Sequence, residues 1–268
     1  MIQELFRIGP VSISPFGIFL ALAFLAAYWQ LSRAFRVVGI GDQEDASEVL
    51  IWAGVGGVLG AKLYYAALYQ DWSLVVSRSG LVWYGGFLLG ALGVAAAFKR
   101  RGIPFASGLD CAALSLALGY AVGRVGCFLV GDDYGVPTDL PWGVAFPEGL
   151  PPTTAGDLRA AFDVEIPTSV PADELLSVHP TQLYETLAAL LIWAVGVRLL
   201  RAGRGAPGRG AAVVIGLLAV ELFLVEFLRA KDDRFFGTFT LAQLISLVVV
   251  ALALWGWAAR RERARATR

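Results

Sequence analysis

Apolar residues in this chain come in long unbroken runs, neither alternating like a half-buried strand nor striped along one face like a soluble helix. Seven runs approach the roughly 20 apolar residues that a helix needs to cross a bilayer: about Pro15 to Leu31, Val49 to Tyr69, Leu81 to Phe98, Phe105 to Val130, Leu183 to Val197, Ala211 to Leu228 and Phe239 to Ala258. They predict an all-α, polytopic integral membrane protein of about seven transmembrane helices, organised as a single membrane domain over residues 1–268. The first run follows no basic segment and ends at no A-x-A-like site, so it is expected to be retained as a span. One connector stands apart. Residues 131–178 hold nine acidic residues, one basic residue and prolines at 137, 141, 147, 151, 152, 167 and 171. This predicts an extracytoplasmic loop subdomain between spans four and five, with a short helix over Thr154 to Phe162 opened by a Thr or Asp cap.

Composition agrees with the runs: 57% of residues are apolar and 16% charged, against roughly 45–50% and 25% in an average soluble domain. The 22 basic and 22 acidic residues cancel, so no basic excess points to nucleic acid. Cys111 and Cys127 sit 16 residues apart in one predicted helix, about 24 Å at 1.5 Å per residue, too far to pair. A single histidine and the absence of CxxC exclude a cysteine/histidine zinc site; no metal or cofactor is expected. The chain has no Asn, hence no N-glycosylation acceptor.

Sorted by position, the charges give an orientation. Segments Ser32 to Glu48, Lys99 to Pro104, Arg198 to Gly210 and Ala259 to Arg268 hold 2, 3, 4 and 5 basic residues, whereas the alternate segments, around Arg7, Arg78, Arg159 and Lys231 with Arg234, hold 5 together. Basic residues accumulate in cytoplasmic loops, so the N-terminus is expected outside and the C-terminus inside.

Three cations remain within the spans: Lys62, Arg124 and Arg229. Each costs about 2.5–3.5 kcal/mol at a helix centre on insertion scales, and all three fall in the outer half of the bilayer. Tyr84, His179, Glu185 and Glu226 fall near the same depth. One reading is a site for an anionic group, of which an outer-leaflet phospholipid phosphate is the most available. The other is structural: the cations snorkel, or pair with Glu185, Glu221 and Glu226 to hold helices together. Arg124 fits the second reading less well, because it lies in the glycine-rich GYAVGRVG (Gly119 to Gly126). Gly56xxxGly60 and Gly86xxxGly90 have the small-xxx-small spacing of close helix packing. Gly85 and Gly86, directly after Tyr84, also let backbone approach a ligand.

Several strings occur in order: GAKLYY (Gly60 to Tyr65), GLVWYGGFLLG (Gly80 to Gly90), GRVGCFLVGDDYG (Gly123 to Gly135), LPWGVAFP (Leu140 to Pro147), HPTQLYE (His179 to Glu185) and VEFLR (Val225 to Arg229). Together they resemble the prolipoprotein diacylglyceryl transferases. The resemblance implies a seven-helix bacterial inner-membrane enzyme that moves the diacylglyceryl group of outer-leaflet phosphatidylglycerol onto the lipobox cysteine thiol of a prolipoprotein, forming a thioether and releasing glycerol 1-phosphate. Its partners would be that lipid, the lipobox peptide and membrane lipids, with no nucleic acid. By this resemblance Arg124 and Arg229 match arginines of donor binding and catalysis, Glu185 matches the glutamate of HPxQLYE, and Gly135 the glycine closing the GRxG block. Lys62 stands where the family usually has Arg. Catalytic candidates are therefore Arg124, Arg229, Tyr84, His179 and Glu185; substrate-binding candidates are Lys62, Gly85, Gly86, Cys127, Gly135, Gln182, Tyr184 and Glu226. Two departures stand out: Tyr84 occupies the place of a family histidine, and Cys127 that of the asparagine of GRxGN. Tyrosine, with a pKa near 10, is a poorer base at neutrality. These departures leave open a paralogue acting on another acceptor, or a non-catalytic phospholipid-binding or lipid-moving protein.

Overall fold

A computed structural model describes residues 4–8, 11–76, 82–203, 206–231, 234–236 and 239–266. Arg78, Gly80, Leu81 and Arg268, used in the charge and motif readings above, lie outside the described residues. The helices are α1 (Pro15–Val38), α2 (Gln43–Tyr69), α3 (Trp83–Arg101), α4 (Phe105–Val130), α5 (Ala155–Phe162), α6 (Thr181–Arg201), α7 (Arg209–Val225) and α8 (Leu241–Ala266). Each apolar run coincides with a helix, and the protein is a helical, polytopic membrane protein. Six of these helices are long and apolar enough to cross a membrane. The exception among the seven expected spans is α3, whose 19 residues end in Lys99, Arg100 and Arg101.

Helix ends extend past the apolar runs where local chemistry supports them. Helix α2 starts six residues before Val49 because Asp42 and Asp45 form a capping box, each carboxylate accepting the other's backbone N–H at 3.0 Å. Helix α3 stops at Gly102, whose φ of 64° closes the helix with an N–H to the Phe98 carbonyl. The predicted α5 is present, its Thr154 hydroxyl accepting the Asp157 N–H at 3.1 Å. Two short antiparallel hairpins were not legible in the sequence: β1 (Phe6–Ile8) with β2 (Val11–Ile13), and β3 (Arg234–Phe236) with β4 (Phe239–Thr240).

The chain divides into two compact units. In Tyr28–Ala112, α2 and α3 pack through glycines. A Cβ at Gly56 would meet the Leu89 carbonyl oxygen at 2.5 Å, and Gly60 and Gly85 each abut the other's carbonyl. The acidic start of α2 faces the basic end of α3: Arg101 pairs with Asp45, Glu44 (3.1 Å) and Glu48 (3.5 Å), and Arg100 with Glu48 (2.9 Å).

The second unit comprises Met1–Ala27 and Ala113–Arg268. Gly196 of α6 lies against Leu114 of α4 and Val214 of α7, where a Cβ would have no room. Residues 131–178 fold around Tyr134, Phe146, Leu158 and Val178, with Ala230 completing this core; Tyr134 stacks on Phe146 at 5.4 Å. Tyr134–Val136 lie between two other segments and hydrogen-bond to both. Gly135 N–H donates to the His179 carbonyl (2.8 Å), and His179 N–H to that of Val136 (3.1 Å). On the other side, Val136 N–H donates to the Leu228 carbonyl (2.8 Å) and Ala230 N–H to that of Tyr134 (3.2 Å).

Candidate active site

Tyr120, Arg124 and Cys127 recur on α4 at spacings of four and three and so share a helical face. Glu185 lies in the second turn of α6, and its side chain is wholly buried. After α7 a single 3-10 turn, Glu226–Leu228, carries Glu226, and the chain then becomes extended at Arg229 (φ −76°, ψ 136°). These segments meet at Glu185. Its Oε2 pairs with Arg124 Nη2, while Oε1 accepts from Arg229 Nη2 at 2.9 Å and from the Tyr120 hydroxyl at 2.7 Å. Asp133, in the loop after α4, accepts from Arg124 Nη1 at 2.9 Å and lies 3.7 Å from Arg229 Nη2. Two cations distant in sequence thus share two carboxylates.

Burying an ion costs several kcal/mol even after relaxation, and only good pairing offsets it. That pairing is incomplete here. Nε of Arg124 and Nε of Arg229 are buried without a hydrogen-bond partner among the described residues. Both are guanidinium donors suited to an oxyanion with phosphate geometry. On α7, Glu221 is buried with neither carboxylate oxygen hydrogen-bonded among the described residues.

The first turn of α6 clamps the loop that carries Asp133. Thr181 Oγ1 donates to the Asp133 carbonyl (2.8 Å) and Gln182 Nε2 to that of Asp132 (2.6 Å). Gly135 is the tightest point. A Cβ there would meet the Leu228 carbonyl oxygen at 2.5 Å and the His179 Cβ at 2.7 Å, so only glycine lets this segment lie between them. Glu226, also buried, accepts from Thr240 Oγ1 (3.1 Å) and lies within 3.5 Å of Lys231 and Arg229.

Electrostatics differ between the two adjacent aspartates. Burial would raise Asp133, but the Arg229 and Arg124 guanidiniums outweigh it and hold its carboxyl below the usual range. Burial, reinforced by the Asp133 charge, pushes Asp132 up. Burial lowers His179, favouring the neutral ring. Cys127 Sγ and the carboxylates of Asp132 and Asp133 bring ligand-type atoms within 4.8 Å of one another. Arg124 Nη1 already lies 3.4 Å from that sulfur and 2.9 Å from Asp133, so a guanidinium supplies the positive charge there.

Of the residues picked from the sequence, Arg124, Arg229, Glu185, Glu226 and Cys127 gather in this cluster, with Gln182 and Gly135 shaping its backbone. His179 and Tyr184 lie beside it on the α6 approach: Trp142 Nε1 donates to the Tyr184 hydroxyl at 2.8 Å, and that hydroxyl is 3.3 Å from His179 Nδ1. Lys62, Tyr84, Gly85 and Gly86 belong to the other unit, near the end of α2 and the start of α3, where Gly85 is buried against Gly60. Sequence reasoning passed over Tyr120, Asp133 and Trp142. Tyr120 was findable, being one turn before Arg124; the other two sit in quoted motifs but in loops, where spacing carries no directional information.

Over residues 3–259 the chain matches the family model described as prolipoprotein diacylglyceryl transferase. It is 33% identical over 266 residues to the phosphatidylglycerol–prolipoprotein diacylglyceryl transferase of Synechococcus elongatus, covering 94% of this chain and 85% of that protein. The enzyme of the same name from Thermosynechococcus vestitus is 31% identical over 263 residues, covering 93% and 89%. That from Brucella canis is 30% identical over 291 residues, covering 97% and 92%.

Proposed function

Because the chain belongs to the prolipoprotein diacylglyceryl transferase family, we propose that it transfers the diacylglyceryl group of phosphatidylglycerol to the lipobox cysteine thiol of a prolipoprotein. A C–S bond forms at the glyceryl carbon, the C–O bond to phosphate breaks, and glycerol 1-phosphate leaves. The observation that carries this reading is the buried pair Arg124 and Arg229, each held by Glu185 and each with an unspent Nε. Such preorganised cations stabilise charge as it grows on a leaving phosphate, and they gain strength where water is excluded.

Glu185 and Gly135 orient the arginines, Gln182 fixes the Asp132–Asp133 loop, and Glu226 steadies the segment bearing Arg229. Lys62, Gly85 and Gly86 serve the donor lipid. Tyr84 and His179 are the candidates for handling the thiol proton, with Tyr184 and Cys127 lining the approach. Residues 131–178 form an extracytoplasmic subdomain that admits the acceptor peptide. With α3 counted as a seventh crossing, the N-terminus lies outside and the C-terminus inside the bacterial inner membrane, with the site open to the outer leaflet; the loop charge asymmetry supports this orientation. A reporter fused after the last helix is expected to be cytoplasmic, and an external one would overturn the orientation.

Purified protein incubated with labelled phosphatidylglycerol and a lipobox peptide is expected to give a thioether product that Arg124→Ala abolishes. Cys127, 3.4 Å from Arg124 Nη1 where the family has asparagine, favours a second reading in which the donor is used but the acceptor differs. Donor cleavage without peptide modification would select that reading. Lipid binding without turnover would sink both.

A further inference from the structure

We propose that His179 serves the donor lipid as a neutral hydrogen-bond donor through Nε2–H, in a tautomer fixed by two positioning residues, Trp142 and Tyr184. This rests on the reaction proposed above and assigns one of its two proton-handling candidates to headgroup binding instead. Donor chemistry dictates the direction of the first hydrogen bond, and the proposal assigns that of the second. An indole N–H can only donate, so the Tyr184 hydroxyl accepts from Trp142 Nε1 at 2.8 Å. The phenolic oxygen, having accepted that bond, has its own proton to place, and His179 Nδ1 lies 3.3 Å away. Nδ1 is then the acceptor and carries the lone pair. The ring proton sits on Nε2, because the bond made by one imidazole nitrogen decides the state of the other. Neither nitrogen is left to receive a thiol proton: Nδ1 is engaged and Nε2 is protonated.

The backbone places this donor beside the phosphate-binding arginines. His179 and Leu228 pair with opposite edges of Gly135–Val136, and Gly135 also bridges to Arg229. His179 and the residue before Arg229 therefore meet at Gly135, where a Cβ would lie 2.7 Å from the His179 Cβ and 2.5 Å from the Leu228 carbonyl oxygen. In the proposed complex a glycerophosphate headgroup bound by Arg229 extends toward His179, whose Nε2–H bonds a headgroup oxygen. Trp142 is 55% exposed although its N–H is engaged, so the latch is made at the surface of the 131–178 segment and reaches the ring through one hydroxyl.

His179 is the single histidine of the chain, so nitrogen-15 histidine labelling reports one imidazole without assignment. In nanodiscs of phosphatidylcholine above neutral pH, Nε2 is expected to be the proton-bearing nitrogen and Nδ1 the bare one; the reverse would overturn the proposal. Tyr184→Phe is expected to mix the tautomers, and an unchanged spectrum would also overturn it. Adding phosphatidylglycerol should shift Nε2, whereas an unmoved Nε2 would remove the lipid contact. In the transfer assay, Trp142→Phe and Tyr184→Phe are expected to lower kcat/KM about 2- to 12-fold, the equivalent of one ordinary hydrogen bond. His179→Gln should restore most of the activity lost in His179→Ala, since an amide donates N–H but takes no proton; equal loss in both would reinstate a base. If the wild type makes no thioether, the proposed reaction fails, while the nitrogen spectra still decide the tautomer and the lipid contact.

Discussion

The molecule contains two clusters in which a pair of arginines meets several carboxylates, and they behave as opposites. In one, Arg100 and Arg101 at the end of α3 meet Glu44, Asp45 and Glu48 at the start of α2; side-chain exposure runs from 16% for Asp45 to 78% for Glu44. In the other, Arg124 and Arg229 meet Glu185 and Asp133, with the arginines 8% exposed, Glu185 not exposed at all, and Asp133 at the rim 44% exposed. The first complements the partial charges of two helix ends and is open to screening by salt. The second leaves guanidinium donors unused in a place where water is excluded. Composition is nearly the same in both; burial of the arginines separates a staple from the proposed binding site.

The sharpest way to break this contrast is Glu185→Ala. It leaves two arginines buried around an uncompensated space, a change of the kind that costs 3–5 kcal/mol. Thermal unfolding in detergent should show a large loss, and an unaltered midpoint would mean that Glu185 is not the counter-charge. Next comes Arg229→Lys, which keeps the charge but loses the planar fork and Nε. Transfer is expected to fall on the order of 10²-fold, the scale of losing one oxyanion donor, with little change in unfolding. Full activity in this variant would show that charge alone suffices. A smaller effect is expected on the acid side. The Asp133 pKa is depressed in the folded protein, so its contribution to stability is complete above the unfolded carboxylate value near 3.9 and is lost as pH falls through the lower folded value. Asp133→Asn should flatten that acid limb in a pH series of unfolding midpoints. The least effect is expected from Arg101→Ala: a modest loss of stability at low salt that shrinks at high salt, with transfer unchanged. A loss of activity there would erase the distinction between the clusters.

How far the sequence foretold this arrangement differs between lipid-exposed helix and folded loop. Runs such as Phe105–Val130 over-determine a helix, because in hydrocarbon every backbone N–H must be satisfied within the segment, and that helix has the predicted ends. Boundaries drifted where polar residues continue a helix, as in the capping box before Val49 and the Arg198–Arg201 turn of α6. The convergence of Arg124 and Arg229 was legible as common depth, and Glu185 as a candidate by resemblance, but spacing alone left it one of three available carboxylates and did not show that both arginines share it. Asp133 and Trp142 were beyond reach because their positions depend on long-range hydrogen bonds of the 134–144 loop backbone. Gly135 marks that dependence: in the sequence it is one glycine among 31, and in the fold it is the contact between three segments.

The shared use of Glu185 also fixes an order of assembly. Arg124 is synthesised 61 residues before Glu185 and 105 before Arg229. At about 5–20 residues per second, roughly 5–20 s separate the emergence of the two arginines. Asp133 follows Arg124 by nine residues and Glu185 precedes Arg229 by 44, so Arg124 meets both carboxylates before the second guanidinium arrives to share them. The late arrival of Arg229 therefore makes the site a product of the final stage of biogenesis, so chains truncated before residue 229 retain spans but hold no completed centre.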